Sequence, residues 1–347
     1  VPGHWLRDTC ACEECRHPET GQRNVNIFRQ TIAGVTVASV DASQLPEKVT
    51  VYFQDGHKTT LSGRVISNRQ SYVARGFREA MVDVEPWTAS IAQRPPSADY
   101  ETLSNDDQSF AQLLRLVRVH GFAFVDNMPS TPEASKALLE QIGPIRHTHY
   151  GGFYDFTSDL SSKDTAYTSE ALEPHTDNTY FTDPAGLQAL HLLSHTGGEG
   201  GESVLVDGFN VAKQLFDMNK DAYHVLSATG VYAHASGNKG VSIQPAQAFP
   251  TLVHSEEYAK LIQVRWNNAD RANVAASWAR LDRWYNAAAK FNALINDPKN
   301  QYWFQLKPGR MLLFDNWRVL HGRAAFTGER RMCGGYINRD DWISKYR

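Results

Sequence analysis

The segment Glu173-Pro174-His175-Thr176-Asp177 constrains this chain more than any other. On a strand, residues i and i+2 project from the same face, so His175 and Asp177 can bind one ion. A second imidazole completes a set of two histidines and one carboxylate, and His321, within the segment 315–323, is the candidate. The fold must therefore bring together two segments that lie far apart in the sequence.

The remaining pattern predicts a fold rich in β-structure. Strand-like runs alternate with Gly-rich turns at 122–125, 203–206 and 310–314, and a hairpin is predicted over 49–61 around a Gly-containing turn. Helical spacing of apolar residues or helix-start signals occur over 106–119, 132–142, 210–227 and 275–296. Strand–helix–strand order is not evident, which disfavours a doubly wound sheet. The predicted class is mainly β with flanking helices (α+β).

A proline-containing polar stretch suggests where the chain divides. Residues 91–105 read IAQRPPSADYETLSN, the best linker candidate in the sequence. We predict an N-terminal domain over 1–92, a linker over 93–105 and a larger domain over 106–347. The chain opens on Val1 instead of Met, so we expect that an N-terminal stretch, with any targeting peptide, precedes it.

Three of the four cysteines are clustered near the start of the chain, at Cys10, Cys12 and Cys15. Such compact thiol spacing favours a metal over disulfides, and zinc is its usual occupant. The fourth ligand is either His17, which is closest in sequence, or His57 in the predicted hairpin turn. The low cysteine content favours an intracellular setting.

Charge and hydropathy exclude two classes of partner. The net charge of -3 gives no excess of positive charge of the kind that binds nucleic acid. No run of about 18 apolar residues is present, so no membrane span is predicted.

Two basic residues, Arg330 and Arg331, follow His321. Many iron oxygenases with such a triad use 2-oxoglutarate as a co-substrate. It chelates the iron through its keto-acid end, and its far carboxylate needs a cation to bind. The planar fork of arginine binds carboxylates through two hydrogen bonds. The HxD motif, the distant His-Gly-Arg and a following Arg together point to an iron(II) and 2-oxoglutarate oxygenase. Such enzymes use a double-stranded β-helix, or jelly roll.

Longer motifs carry a family resemblance along nearly the whole chain. They are WLRD at 5–8, DTAYT at 164–168, HTDNTYF at 175–181, LVDGF at 205–209, RWNNADR at 265–271 and LKPGRMLLFDNWRVLHGR at 306–323. With these the chain resembles the γ-butyrobetaine/trimethyllysine dioxygenases. YDFTSD at 154–159, FTGERRMCGGY at 326–336 and NRDD at 338–341 look most like the trimethyllysine branch.

The resemblance implies a reaction and its cofactors. Iron(II) would be bound by His175, Asp177 and His321, and Arg330 would bind 2-oxoglutarate because it lies six residues before Tyr336, as in the family pattern. With O₂, the enzyme would form succinate and CO₂ and hydroxylate C3 of Nε,Nε,Nε-trimethyllysine, the first step of carnitine biosynthesis. Ascorbate would serve as reductant. A homodimer in the mitochondrial matrix or the cytosol is expected.

The resemblance also implies the substrate-binding residues. An aromatic cage for the trimethylammonium group maps onto Tyr150, Tyr154, Tyr167 and Tyr336, although relatives usually carry Trp where Tyr154 stands. Asp164 stands where γ-butyrobetaine enzymes have Asn, and an acid there would attract the α-ammonium that only trimethyllysine carries. Asn267 and Asn268 would bind the substrate carboxylate.

The same resemblance selects His57 as the fourth zinc ligand. A closed site of four ligands leaves no position for chemistry, so this zinc would be structural and would hold the hairpin to the N-terminal loop. A small zinc-binding β domain therefore precedes the predicted jelly roll.

Three other functions remain to be distinguished. γ-Butyrobetaine hydroxylation would use the same fold, iron and cage. A non-catalytic module that binds methylated lysine would need the cage but neither the triad nor Arg330. A zinc hydrolase is the weakest alternative, because no HExxH motif is present.

Overall fold

The architecture was obtained from a computed structural model, which describes residues 1–68, 84–103, 105–157, 168–236, 240–255 and 260–347. The chain divides into two compact units, Val1–Val82 and Asp83–Arg347.

The N-terminal unit is built around a three-stranded antiparallel sheet. Its elements are α1 (Gly3–Asp8), α2 (Ile32–Val35), β1 (Val37–Asp41), β2 (Val49–Phe53), β3 (Lys58–Leu61), α3 (Gly63–Asn68) and a short 3-10 helix (Ile27–Arg29). β2 and β3 form the predicted hairpin, which is confirmed. Alternate residues of β2, Val49, Val51 and Phe53, are buried with Leu6 and Leu61, as expected for a sheet with one covered face.

The larger unit contains two main sheets. Their strands are β4 (Ser97–Asp99), β5 (Phe122–Asp126), β6 (Tyr154–Thr157), β7 (Leu172–His175), β8 (Leu187–Thr196), β9 (Ser203–Asp207), β17 (Gln301–Phe304), β18 (Met311–Asp315), β19 (Val319–Arg323) and β20 (Glu329–Ile337). One sheet has four strands in the order β17-β9-β19-β7, and the other has six in the order β4-β5-β18-β8-β20-β6.

Short strands complete the larger unit in three small antiparallel sheets. They are β10 (Gly230–Ala233), β11 (Ala235–Ser236), β12 (Ser242–Ile243), β13 (Phe249–Pro250), β14 (Leu252–His254), β15 (Leu261–Val264) and β16 (Arg271–Val274).

One of the hydrophobic cores of the larger unit lies between the two main sheets, and a second is formed where helices pack on the four-stranded sheet. Phe122 and Phe124 of β5 and Phe314 of β18 share one buried cluster with Leu205 of β9 and Val319 of β19. The continuous apolar runs predicted as strands occupy the sheet interior, where both faces are covered. The larger unit is therefore a mixed α/β fold in which sheets predominate.

Helices pack around these sheets. They are α4 (Tyr100–Leu103), α5 (Asp107–His120), α6 (Pro132–Ile142), α7 (Gly208–Met218), α8 (Lys220–Ala228), α9 (Trp278–Ile295), α10 (Arg339–Tyr346) and a 3-10 turn (Ala89–Gln93). In the described part of the chain, no helix combines the length and hydropathy needed to cross a bilayer.

Capping explains where several helices begin and end. The Asp106 carboxylate accepts from the first turn of α5, and Gly121 ends that helix with a φ of 83°. Thr131 caps α6 as predicted. The single helix predicted over 210–227 is two helices, because Asn219 ends α7 and its side chain caps α8.

The linker predicted over 93–105 differs from the structure. Ser97–Asp99 forms β4, which pairs in parallel with β5, and Tyr100–Leu103 is helical. The paired prolines precede an edge strand, a position that tolerates the missing backbone N–H. The boundary between the two units falls earlier, between Val82 and Asp83.

Candidate active site

The predicted metal ligands come together at one end of the four-stranded sheet. β7 and β19 are antiparallel neighbours, and His175 lies directly opposite His321. Asp177 follows two residues after His175, and its Oδ1 is 3.2 Å from Nε2 of His175. Its Oδ2 is 3.8 Å from Nε2 of His321. These ligand atoms are close enough to share one ion.

Gly322 allows this close approach of β7 and β19. A Cβ atom at that position would lie 2.5 Å from the carbonyl oxygen of Leu172 and 3.0 Å from the nitrogen of Pro174. Any side chain would push the two strands apart. The glycine after His321 is therefore a packing requirement of the site.

Hydrogen bonds orient the ligands. Nδ1 of His175 lies 2.7 Å from the carbonyl oxygen of Glu173, an arrangement that assigns the proton to Nδ1 and leaves Nε2 as the ligand atom. The phenol of Tyr336 donates to Oδ2 of Asp177 at 2.7 Å. Tyr336 is itself buried.

Asn316 holds the backbone of Asp177. Its Oδ1 accepts from the N–H of Asp177 at 2.7 Å, and its Nδ2 donates to the carbonyl oxygens of Asp177 and Ala185 at 3.0 Å each. Asp177 lies beyond the end of β7, so this buried side chain replaces the pairing that a neighbouring strand would supply. The sequence alone does not reveal the role of Asn316, because no spacing shows which distant backbone an amide will bind.

Burial and mutual charge set the protonation of the triad. Burial alone would raise the pKa of the Asp177 carboxyl, but His321, His175 and Tyr336 hold that pKa well below its usual range. Burial and the nearby His175 lower the pKa of His321 to about 3. An ionised carboxylate beside a neutral imidazole is a donor set that suits a divalent metal.

A buried guanidinium borders the same site. Arg330 is 2% exposed, and among the described residues its Nε and Nη1 have no hydrogen-bond partner. Burial lowers its pKa. Gly201, with a φ of 72°, makes room for it, because a Cβ atom there would lie 2.6 Å from Nη1 of Arg330. Among the described residues no carboxylate pairs with this guanidinium, which lies over the ring of Phe326, and a buried cation is costly unless it binds an anion.

Arg331, in contrast, points to the surface. It forms two hydrogen bonds with Asp155, at 2.9 and 2.6 Å, and half of its side chain is exposed. Of the two arginines considered from the sequence, only Arg330 borders the cavity described next.

The triad and Arg330 line one cavity of about 360 Å³. Of the predicted cage, Tyr150, Tyr154 and Tyr336 also line it, and the rings of Tyr154 and Tyr336 meet edge to face at 5.8 Å. Tyr167 and Asp164 lie outside the described residues. Tyr180, which is not among the residues predicted from the sequence, is a further buried aromatic on this wall.

The predicted carboxylate-binding amides lie in a turn on the same wall. Asn267 and Asn268 both border the cavity together with Asp270. Asn267 bonds to Asp270 at 2.8 Å, while Oδ1 of Asn268 accepts from Arg271 at 3.3 Å. Asp270 was not among the residues predicted from the sequence.

The N-terminal unit holds a separate cluster of potential ligands. Nε2 of His57 lies 3.3, 4.0 and 3.7 Å from the sulfur atoms of Cys10, Cys12 and Cys15. A tetrahedral zinc ion with ordinary bond lengths would separate sulfur and nitrogen by about 3.5 Å. The four side chains therefore fit one zinc ion, and of the two histidines considered His57 is the one in the cluster.

Comparison with known proteins identifies the family. The sequence profile of the Taurine catabolism dioxygenase TauD, TfdA family matches residues 83–336, and that of the Gamma-butyrobetaine hydroxylase-like N-terminal region matches residues 1–62. A trimethyllysine dioxygenase of Neurospora crassa is 42% identical over 100% of this chain and 80% of its own length. The chain belongs to the trimethyllysine dioxygenase family.

Other members and relatives fit this assignment. The human mitochondrial trimethyllysine dioxygenase is 35% identical, over 99% of this chain and 81% of its own. A human γ-butyrobetaine dioxygenase is more distant, at 26% identity over 100% of this chain and 90% of its own. The resemblance predicted from the motifs is thus confirmed, and the trimethyllysine dioxygenase family is the nearer of the two branches.

A solved structure supports the fold of this family member. A taurine dioxygenase from Burkholderia xenovorans superposes with a TM-score of 0.54 over 74% of this chain and 90% of that one, at 14% sequence identity. At that identity the likeness concerns the fold alone. It agrees with a sheet-rich oxygenase core in the larger unit.

Proposed function

We propose that this chain is a trimethyllysine dioxygenase that hydroxylates C3 of Nε,Nε,Nε-trimethyllysine with iron(II), 2-oxoglutarate and O₂. One observation carries the proposal: a two-histidine, one-carboxylate triad, a buried arginine and several tyrosines line a single cavity. One oxygen atom of O₂ would enter succinate and the other the new hydroxyl, with CO₂ released. Two electrons would come from 2-oxoglutarate and two from the C–H bond.

Iron(II) would be held by Nε2 of His175, Nε2 of His321 and a carboxylate oxygen of Asp177. Three protein ligands leave coordination positions open for the co-substrate and O₂. When bound, iron(II) would activate O₂, which is the oxidant, while the protein supplies position and polarity. Tyr336 and Asn316 fix Asp177 on its side-chain and backbone atoms, respectively.

Arg330 would bind the far carboxylate of 2-oxoglutarate. Its buried guanidinium borders the triad's cavity, and two of its nitrogens have no partner among the described residues. A carboxylate can occupy the fork of an arginine through paired, charge-assisted hydrogen bonds. Binding there would relieve the cost of burying the cation.

The tyrosines would bind the trimethylammonium end of the substrate. That group has no N–H to donate, so aromatic faces recognise it better than a carboxylate does, and each favourable cation–π contact contributes about 0.5–2 kcal/mol. Tyr150, Tyr154 and Tyr336 line the cavity. Tyr154 donates its hydroxyl to the carbonyl oxygen of Ala189, so the ring is held in place.

The larger unit would be a double-stranded β-helix, and the smaller one a zinc domain. The support is the core enclosed between two main sheets and, in the other unit, the convergence of Cys10, Cys12, Cys15 and His57. Zinc in that position would be structural. We also propose a mitochondrial location, since the human relative carries that word in its name.

The test is reconstitution without oxygen. Enzyme, iron(II), 2-oxoglutarate and ascorbate are mixed with trimethyllysine or γ-butyrobetaine, O₂ is admitted, and succinate and hydroxylated product are quantified. We expect both products in equal amounts with trimethyllysine and much less of either with γ-butyrobetaine. A preference for γ-butyrobetaine would favour the alternative hydroxylase. Binding of trimethyllysine without succinate formation would favour a non-catalytic module.

A further inference from the structure

The turn between β15 and β16 faces the active-site cavity with an amide and an acid side by side. Asn267 and Asp270 both line the cavity and are joined by a hydrogen bond of 2.8 Å from Nδ2 of Asn267 to Oδ2 of Asp270. The substrate proposed above carries two charged groups on one carbon, an α-ammonium and an α-carboxylate. The inference that follows rests on that proposed function.

The amide of Asn267 is locked in one orientation. Its Oδ1 accepts from the backbone N–H of Ala269 at 3.0 Å and from that of Asp270 at 3.2 Å. A rotation that exchanged oxygen and nitrogen would set Oδ1 against the carboxylate of Asp270 and the NH₂ group against two N–H donors. Asn267 therefore has only an N–H left to offer, and an N–H binds a carboxylate but not an ammonium.

The acid beside it has the opposite character. An ionised carboxylate can only accept hydrogen bonds, and its negative charge attracts an ammonium. Oδ2 of Asp270 meets Asn267, while the side chain is half-buried at the cavity wall. Burial, then Asp177 and then Asp270 raise the pKa of the buried Tyr180, which lines the same cavity.

We propose that Asp270 is a specificity-determining residue that binds the α-ammonium of the substrate while Asn267 donates to the α-carboxylate. The pair would present an acceptor and a donor at neighbouring positions, matching the two charges of an α-amino acid. Asp270 would thus add a second carboxylate to Asp164, the residue expected from the family resemblance. A substrate without the ammonium, such as γ-butyrobetaine, would place its carboxylate near an uncompensated acid.

Two ligands that differ only in the ammonium test this assignment. They are trimethyllysine and 6-(trimethylammonio)hexanoate, which keeps the carboxylate, the chain length and the trimethylammonium group. Dissociation constants are measured by calorimetry without oxygen, on enzyme loaded with iron(II) and 2-oxoglutarate. For Asp270→Asn we expect the affinity for trimethyllysine to fall roughly tenfold or more, with the affinity for the hexanoate unchanged or higher.

Two further variants separate recognition from general damage. Asn267→Ala should weaken the binding of both ligands, because both carry the carboxylate. Asp282→Asn makes the same change at an exposed position on α9, away from the residues that line the cavity, and should keep the wild-type preference. Thermal unfolding of each variant checks the fold.

The outcomes are distinct. An equal loss of affinity for both ligands in Asp270→Asn would mean that Asp270 only supports Asn267, and this would overturn the proposal. An unchanged affinity for trimethyllysine would also overturn it. Failure of the wild-type enzyme to hydroxylate trimethyllysine would instead overturn the proposed function. The hydroxylation activity of the wild type is therefore measured before any variant is compared.

Discussion

Tyr336 donates a hydrogen bond to Oδ2 of Asp177 at 2.7 Å, and its ring lines the cavity beside that of Tyr154. One side chain thus contacts both the carboxylate proposed as a metal ligand and the space proposed for the substrate cation. Partners of metal ligands commonly change metal affinity 10–100-fold when they are removed. The hydroxyl of Tyr336 and its ring can therefore be tested separately, the first for metal binding and the second for substrate binding.

Removing only the hydroxyl should weaken metal binding. We expect Tyr336→Phe to lower the affinity for iron(II) about tenfold or more, because the Asp177 carboxylate loses its fixed orientation while the aromatic ring remains. Anaerobic calorimetry with iron(II) measures this. Tyr154→Phe is the matched control, since that hydroxyl bonds to the carbonyl of Ala189. Equal affinities in wild type and Tyr336→Phe would remove the assigned role.

The two adjacent arginines should behave differently towards 2-oxoglutarate. Arg330→Lys keeps the charge but loses the planar fork, so we expect the KM for 2-oxoglutarate to rise about tenfold or more. Arg331→Lys should change it little, because the pair with Asp155 is at the surface and worth about 0–1 kcal/mol. Steady-state kinetics at saturating trimethyllysine gives both values. The same KM increase in both variants would contradict the assignment of Arg330.

A methyl group at Gly322 should damage the metal site. The added Cβ would lie 2.5 Å from the carbonyl of Leu172, so β7 and β19 must separate and His175 and His321 must move apart. We expect Gly322→Ala to lower the melting temperature and to weaken iron(II) binding at least about tenfold. In Gly152→Ala the nearest atom is 3.6 Å away, which is ordinary contact, so this variant serves as the control. Unaltered iron(II) affinity in Gly322→Ala would show that the strands tolerate the separation.

The N-terminal cluster should hold one zinc ion independently of iron. Elemental analysis of the purified protein should give about one equivalent, because a closed structural site stays filled. Cys12→Ser should reduce this below about half an equivalent and make residues 1–62 more sensitive to limited proteolysis. Cys333→Ser, which alters the cysteine outside the cluster, should retain the zinc. A wild-type protein lacking zinc would refute the site.

Acidification should destabilise the fold through His191. This buried imidazole lies 2.8 Å from the hydroxyl of Ser135, and burial lowers its pKa to about 4. The unfolded chain, with an ordinary histidine pKa of about 6.5, binds the proton more readily, so stability is lost as the pH falls from about 6.5 towards 4. His191→Gln should flatten this dependence by up to about 1.4 kcal/mol per pH unit. Urea unfolding at several pH values compares the slopes, and parallel slopes would exclude His191 as the cause.

Local signals predicted several elements well. Thr131 and Pro132 fix the start of α6, because a threonine cap and a first-turn proline act within a few residues. The division between α7 and α8 was missed, since Asn219 looks like an ordinary polar residue until its side chain is seen to cap α8. The predicted linker was read from composition, whereas its pairing with β5 depends on a partner that composition does not encode.

The candidate site divides in the same way. The HxD spacing predicted that His175 and Asp177 share one ion, and their ligand atoms do lie together, although Asp177 lies beyond the end of β7 and not on the strand as expected; the motifs supplied His321. Asn316 could not be found, because its partners are backbone atoms of a distant segment. Asp270 was overlooked because its place on the cavity wall depends on how the turn between β15 and β16 is folded.

The direct pairing of His175 with His321 has a thermodynamic consequence. An ion held there would tie a strand from the middle of the sequence to one near its end. Because the unfolded chain keeps these residues apart, the ion binds the native state preferentially and shifts the folding equilibrium by mass action. Removal of the metal by a chelator would then lower the melting temperature even where no catalysis is measured. The metal supply would therefore affect the folded fraction of the enzyme as well as its catalytic rate.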